Sequence, residues 1–80
     1  MENIDKFCED LKEHTIRKKR LYDGVNKEMS TEYALGLAIE ELGEIAGALT
    51  RSRYKLAEYE CIDLAHCAFL IKCAIDEMRT

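Results

Sequence analysis

The sequence contains no proline, no tryptophan and only four glycines. With so little to break or kink a helix, long uninterrupted helices are permitted. No apolar run is long. The longest, from Leu64 to Ile71, is interrupted by His66, and a bilayer span needs about 20 apolar residues. Excess positive charge is absent too: the net charge is −4, which argues against charge-driven binding to nucleic acid or to a membrane surface. The four cysteines, Cys8, Cys61, Cys67 and Cys73, form no CxxC pair. The last three are spaced by six, which turns a helix by about 240° each time, so they share no face. A zinc knuckle is therefore not expected, and their Ile, Leu, Ala and Phe neighbours mark them as small core residues. Reduced thiols predict a cytoplasmic protein. The N-terminus is charged from Glu2 onward and shows no signal peptide.

Eighty residues predict one domain spanning residues 1–80, and a chain this short is marginal alone. Three helices are expected. The first covers 3–22, with Ile4, Phe7, Cys8 and Leu11 on one side, Asn3 as a cap and Asp5 near its start. It ends in the basic run Arg17-Lys18-Lys19-Arg20, which either complements the helix dipole or forms an electropositive wall. Tyr22-Asp23-Gly24-Val25-Asn26 is a break with an Asp-Gly turn signal. Ser30 or Thr31 then caps a second helix running to about Arg51, with Leu35, Ala38, Ile39, Leu42, Ile45, Ala46 and Leu49 as its core stripe. The third helix covers Leu56 to Met78 and is apolar almost all round, which predicts burial on every side. Three such helices cannot bury it, so a second copy of the chain must. The fold class expected is all-α, an antiparallel helical hairpin completed by homo-oligomerisation into four-helix-bundle-like cores.

Two acidic pairs stand out in these helices. Glu41 and Glu44 are three apart, as are Glu60 and Asp63. That spacing makes each pair neighbours on a helix, with Cβ atoms about 5–6 Å apart. Paired carboxylates repel unless a cation joins them, and hard divalent ions prefer oxygen ligands. With Leu42 set at zero, Glu41 falls near −100° and Glu44 near −160° around the helix. Both flank the apolar stripe, where partly buried ligands would sit. Glu40 falls on the other side, behind the ligands or on the surface. If the second and third helices pair as a hairpin, all four carboxylates converge, as in metal sites of helical bundles. The alternative is that they are ordinary surface charges. Asp63, His66 and Cys67 share a helical face, but a fourth ligand and a zinc spacing are missing, so His66 reads as a core or supporting histidine. Gly43 and Gly47 leave room for close approach of another helix.

The run Glu40-Glu41-Leu42-Gly43-Glu44, then fifteen residues, then Glu60-Cys61-Ile62-Asp63 resembles the ExxE…ExxD signature of the MazG-like all-α nucleoside triphosphate pyrophosphohydrolases. Leu42-Gly43-Glu44-Ile45-Ala46 and Asp63-Leu64 also suit that family. The resemblance covers roughly residues 31 to 76 and implies an oligomeric, Mg²⁺-dependent hydrolase, with Mn²⁺ as a possible substitute ion. Such an enzyme cleaves a nucleoside triphosphate to the monophosphate and pyrophosphate. Glu41, Glu44, Glu60 and Asp63 would be its metal ligands, any unligated one serving as general base. Arg51, Arg53, Lys55 and Lys72 are candidates to meet phosphates, or are simply exposed. The segment Tyr22 to Met29 would contribute to base recognition. The chain departs from the family in its short C-terminus and in lacking Trp, for which Tyr22, Tyr33, Tyr54 or Tyr59 would have to substitute. A fainter resemblance links Glu60-Cys61-Ile62-Asp63-Leu64-Ala65-His66 to phosphoribosyl-ATP pyrophosphohydrolase. A non-enzymatic helical oligomer with a degenerate site is the remaining alternative.

Overall fold

The computed structural model describes residues 2–22 and 30–79, and of residues 2 and 19–22 the backbone alone. The segment expected to recognise a base, Tyr22 to Met29, therefore lies outside the described residues save for the backbone of Tyr22. The described residues form three helices and no strand: α1 (Glu2–Tyr22), α2 (Thr31–Thr50) and α3 (Tyr54–Arg79). None is long and apolar enough to cross a membrane. The central element is α3, which packs against both other helices, while α1 and α2 make no close approach to each other.

Ser30 caps α2, its hydroxyl accepting a hydrogen bond from the Tyr33 amide at 3.1 Å. This satisfies one of the amides that the first helical turn leaves without a partner. Asn3 does not play that part for α1, which already begins at Glu2.

The connection between α2 and α3 is shorter than the expected helix limits, about Arg51 and Leu56, imply. It is confined to Arg51, Ser52 and Arg53, and Tyr54 and Lys55 already belong to α3. Arg53 N–H reaches back to the Ala48 carbonyl (2.8 Å) and Ser52 N–H to the Leu49 carbonyl (3.1 Å). That pair of bonds is a Schellman C-cap, which needs a left-handed residue at its centre. Ser52 supplies it at φ 56°. Arg53 then starts the next helix at once, its carbonyl accepting from Ala57 N–H at 3.0 Å. So tight a connection makes α2 and α3 antiparallel neighbours.

The packing between the helices is made of small residues. Ala34 and Ala48 are the buried residues of α2, and Ala57, Cys67 and Ala74 are buried on α3 together with Glu60 and His66. Among the described residues the largest fully buried side chain is His14. The stripe expected to be core is largely open instead: Leu35, Ile39, Leu42 and Leu49 are each more than half exposed, and Ala46 is exposed too. The inward face is rotated by one residue, about 100°, to Ala34, Glu41 and Ala48, which recur every two turns. Of the cysteines expected in the core, Cys67 is buried, Cys73 half-buried and Cys61 exposed.

Left-handed backbone costs a residue with a Cβ about 1–2 kcal/mol, and glycine almost nothing. Ser52→Gly is therefore expected to stabilise the chain by about 1 kcal/mol, raising Tm by roughly 4–8 °C. Ser52→Val should lower Tm. Thermal unfolding followed by circular dichroism reads both.

Candidate metal centre

Antiparallel pairing of α2 and α3 brings Glu41 onto the same spot as Glu60 and Asp63. One carboxylate oxygen from each lies within 4.8 Å of the others. Glu60 is buried, with 8% of its surface exposed, while Glu41 and Asp63 are half-buried. Glu41 Oε2 and Glu60 Oε2 are both buried without a hydrogen-bond partner. An unpaired buried carboxylate is costly, and such groups are normally paired or bound to metal. Glu44 stands outside this trio. It is exposed, at the open edge of the cluster, with its carboxyl against that of Glu60.

The electrostatics follow from crowding. Burial first, then contact with Glu60 and repulsion from Asp63, Glu60 and Glu44, push the Glu41 carboxyl up from 4.5 to about 8. Contact with the Glu60 carboxylate is the main cause raising Glu44 above its ordinary value. Without a cation, the cluster holds a proton in a cation's place. All-oxygen, partly buried donors with orphaned oxygens fit a hard divalent ion.

A cleft of about 620 Å³ adjoins the cluster, lined by Glu40, Gly43, Glu44, Gly47, Ala48, Arg51, Leu56 and Glu60. The glycines face this space rather than another helix. A Cβ added at Gly43 would meet nothing within 4 Å, and one at Gly47 would meet only the Arg51 guanidinium at 3.8 Å. Arg51 closes the cleft at the hairpin end, with acids at the other.

The remaining basic candidates are spread out. Arg53 is an exposed turn residue. Lys55 lines a different cleft, between α1 and α3, with Asp10, Glu13, His14, Arg17, Glu58, Tyr59 and Ile62. Lys72 is exposed and bonds Asp76 at 2.8 Å along α3. One residue of the site reads from the sequence as part of the polar face of α1. His14, from α1, places Nε2 at 2.5 Å from Asp63 Oδ1.

No family model, curated protein or solved structure matches this chain. The chemistry of the site rests on its own geometry.

That geometry fixes a pH dependence. The folded pKa of Glu41 lies above its ordinary 4.5, so on rising pH the unfolded chain loses this proton first, and stability falls as pH rises towards about 8. His14 and His66 have pKa values lowered below 6.5 by burial, so acid below that value destabilises through them. Between pH 6.5 and about 8, metal-free protein in chelator should thus lose stability, and Glu41→Gln should reduce the slope. Divalent-ion affinity should instead rise with pH there, by up to about tenfold per unit, because binding displaces the proton. Chemical denaturation and calorimetric titration across that range measure the two effects.

Proposed function

We propose that this chain is a Mg²⁺-dependent nucleoside triphosphate pyrophosphohydrolase of the MazG-like kind. It would cleave (d)NTP to (d)NMP and pyrophosphate in the cytoplasmic nucleotide pool, with Mn²⁺ able to replace Mg²⁺. The observation that carries this reading is the convergence of Glu41, Glu60 and Asp63 within 4.8 Å with two buried, unpartnered carboxylate oxygens among them. These are three of the four acids in the ExxE…ExxD pattern, drawn from both pairs.

Glu41, Glu60 and Asp63 would hold the ion. When bound, Mg²⁺ supplies neutralisation of the triphosphate charge and acidification of water. The fourth acid, Glu44, stands at the cleft edge with its carboxyl exposed, placed to accept the proton of a water that attacks phosphorus. The Glu60 carboxyl beside it raises the Glu44 carboxyl above its ordinary value, which makes it a stronger base than an isolated glutamate. Arg51, at the opposite end of the same cleft, would bind phosphate oxygens with its planar fork. The glycine floor leaves room for the phosphate chain between the two. Lys55 and Lys72 face other surroundings and are assigned no part.

The test is release of pyrophosphate from a panel of canonical and damaged dNTPs and NTPs, with and without Mg²⁺. Turnover that requires the ion and falls at least about 100-fold in Glu44→Gln, the usual size of a general-base effect, is expected. Folded protein that turns over no nucleotide would refute the enzyme reading.

The functional unit in this reading is at least a homodimer. Leu35, Ile39, Leu42, Ala46 and Leu49 recur at alternating spacings of four and three, the pattern of a helix-packing seam, and lie exposed. On α3, Phe69 and Ile75 are also exposed. Among the described residues the buried apolar side chains are all alanine or cysteine, which contribute little to a core, since a buried Leu contributes about 1.5–3 kcal/mol and an alanine methyl far less. Pairing the α2 and α3 faces of two copies would supply the missing large side chains. Sedimentation should find a dimer or tetramer, and Leu42→Glu should shift it to monomer with loss of helicity. A stable wild-type monomer would refute this assembly.

A further inference from the structure

We propose that His14 is a positioning residue of the metal centre, reaching from α1 to hold Asp63 by one carboxylate oxygen so that the other is presented to the ion. The inference rests on the metal-centre reading above and adds a helix to it that the acidic pattern does not contain.

Four observations carry it. His14 is the most deeply buried large side chain among the described residues, 1% exposed. Packing alone does not account for it, for its Nε2 is buried and 2.5 Å from Asp63 Oδ1. The ring plane is fixed on two sides. Tyr59 meets it edge-on at 6.0 Å and His66 edge-on at 5.3 Å, and His66 is itself tied to α1 through Thr15 Oγ1 at 3.2 Å from its Nδ1. The fourth observation sets the tautomer. Arg17 Nη2 lies 3.5 Å from His14 Nδ1, and a guanidinium can only donate. That contact is long and agrees with Nδ1 as acceptor, and the Asp63 carboxylate oxygen facing Nε2 also only accepts, so the neutral imidazole is assigned its proton on Nε2, on the Asp63 side.

The result is a chain from Arg17 through His14 to Asp63, running from the cleft between α1 and α3 inward to the carboxylate cluster. Histidines and carboxylates behind a metal commonly work in this way, fixing the orientation and basicity of the ligand they touch. His14 does not ligate in this arrangement. The ligand atoms that cluster within 4.8 Å come from Glu41, Glu60 and Asp63. With an ion bound, one Asp63 oxygen would face it and the His14 Nε2–H would hold the other. The two-helix hairpin alone is then an incomplete site, and α1 contributes to ion affinity from outside the acidic motif.

The experiment is Mn²⁺ titration of the full chain, followed by the loss of the free-ion EPR signal, for wild type, His14→Gln and His14→Leu. Circular dichroism checks helicity in each. Glutamine keeps an N–H donor near the position of Nε2, and leucine keeps the bulk without the donor. The expected result is near-native affinity for His14→Gln and a 10–100-fold loss for His14→Leu, the usual size of such effects. A second measurement needs no variant: ¹⁵N shifts of the His14 ring with Mg²⁺ present should report the proton on Nε2. Four outcomes would overturn the proposal while leaving the metal centre standing. These are wild-type affinity in His14→Leu, equal losses in both variants, a proton on Nδ1, and nitrogen coupling in the bound Mn²⁺ spectrum that marks His14 as a direct ligand. Absence of Mn²⁺ binding to the wild type would remove the metal centre itself, and the inference with it.

Discussion

Repulsion among carboxylates that the backbone forces together is the constraint on which the other features of this molecule depend. Glu41 on α2 cannot avoid Glu60 and Asp63 on α3 once the three-residue turn at Arg51–Arg53 sets the two helices antiparallel. Water cannot relieve the strain fully, because Glu60 is buried and oxygens of Glu41 and Glu60 lack partners. Two relieving agents remain. A proton can be held on Glu41, which is what its pKa of about 8 describes, or a cation can replace it. The first leaves the cluster idle, and the second makes it useful, since a bound divalent ion reverses the sign of the local field. The apparent defect and the proposed activity are two states of the same group of atoms.

The second constraint is the size of the buried residues. Alanines at the α2–α3 contact let the helices approach closely, and that approach is what draws the carboxylates into one cluster. Larger residues at Ala34 and Ala48 would push α2 outward and separate Glu41 from Glu60. The same small residues bury little apolar surface, so a chain built this way is short of hydrophobic stabilisation. Large apolar side chains are present, but on the outer faces, as at Leu42 and Phe69. Site geometry and the outward placement of the large apolar side chains therefore have one cause.

Some of this is legible in the sequence and some is not, for definable reasons. The acidic pairs are legible because a spacing of three on a helix fixes which residues are neighbours, whatever the helix packs against. The extents of α2 and α3 are nearly so, since Ser30 is a strong cap and no proline intervenes. Which face of α2 turns inward is not. Its residues carry one heptad-spaced stripe of mainly large apolar side chains, from Leu35 to Leu49, and beside it another of alanines with Glu41. Periodicity alone assigns the larger set to the core. The structure assigns the smaller, because a single hairpin has only close-packed room to offer. The turn at Ser52 was hidden by its residue type, since the left-handed position carries serine where glycine would have announced it. His14 reads from the sequence as part of the polar face of α1, beside Glu9, Asp10, Lys12 and Glu13, yet it is buried, because its partner Asp63 lies on a different helix and single-chain spacing says nothing across that distance.

The adjacency of Glu41 and Leu42 joins these themes. One side chain enters the acidic cluster and the next lies on the exposed apolar seam, about 100° around the helix. Covering that seam with a second copy would remove water from one flank of the cluster and lower the effective dielectric there. Lower dielectric strengthens both repulsion among bare carboxylates and attraction between carboxylates and a divalent ion. The attraction gains more, because each carboxylate meets a double charge at ligand distance while its neighbours meet it with single charges farther off. In the proposed assembly, ion binding and association of copies would then reinforce each other, by the reciprocity that any coupling between two binding equilibria must obey. A metal-free chain would keep a proton on Glu41 and a weak hold on its partner, and the ion would tighten both the site and the bundle around it.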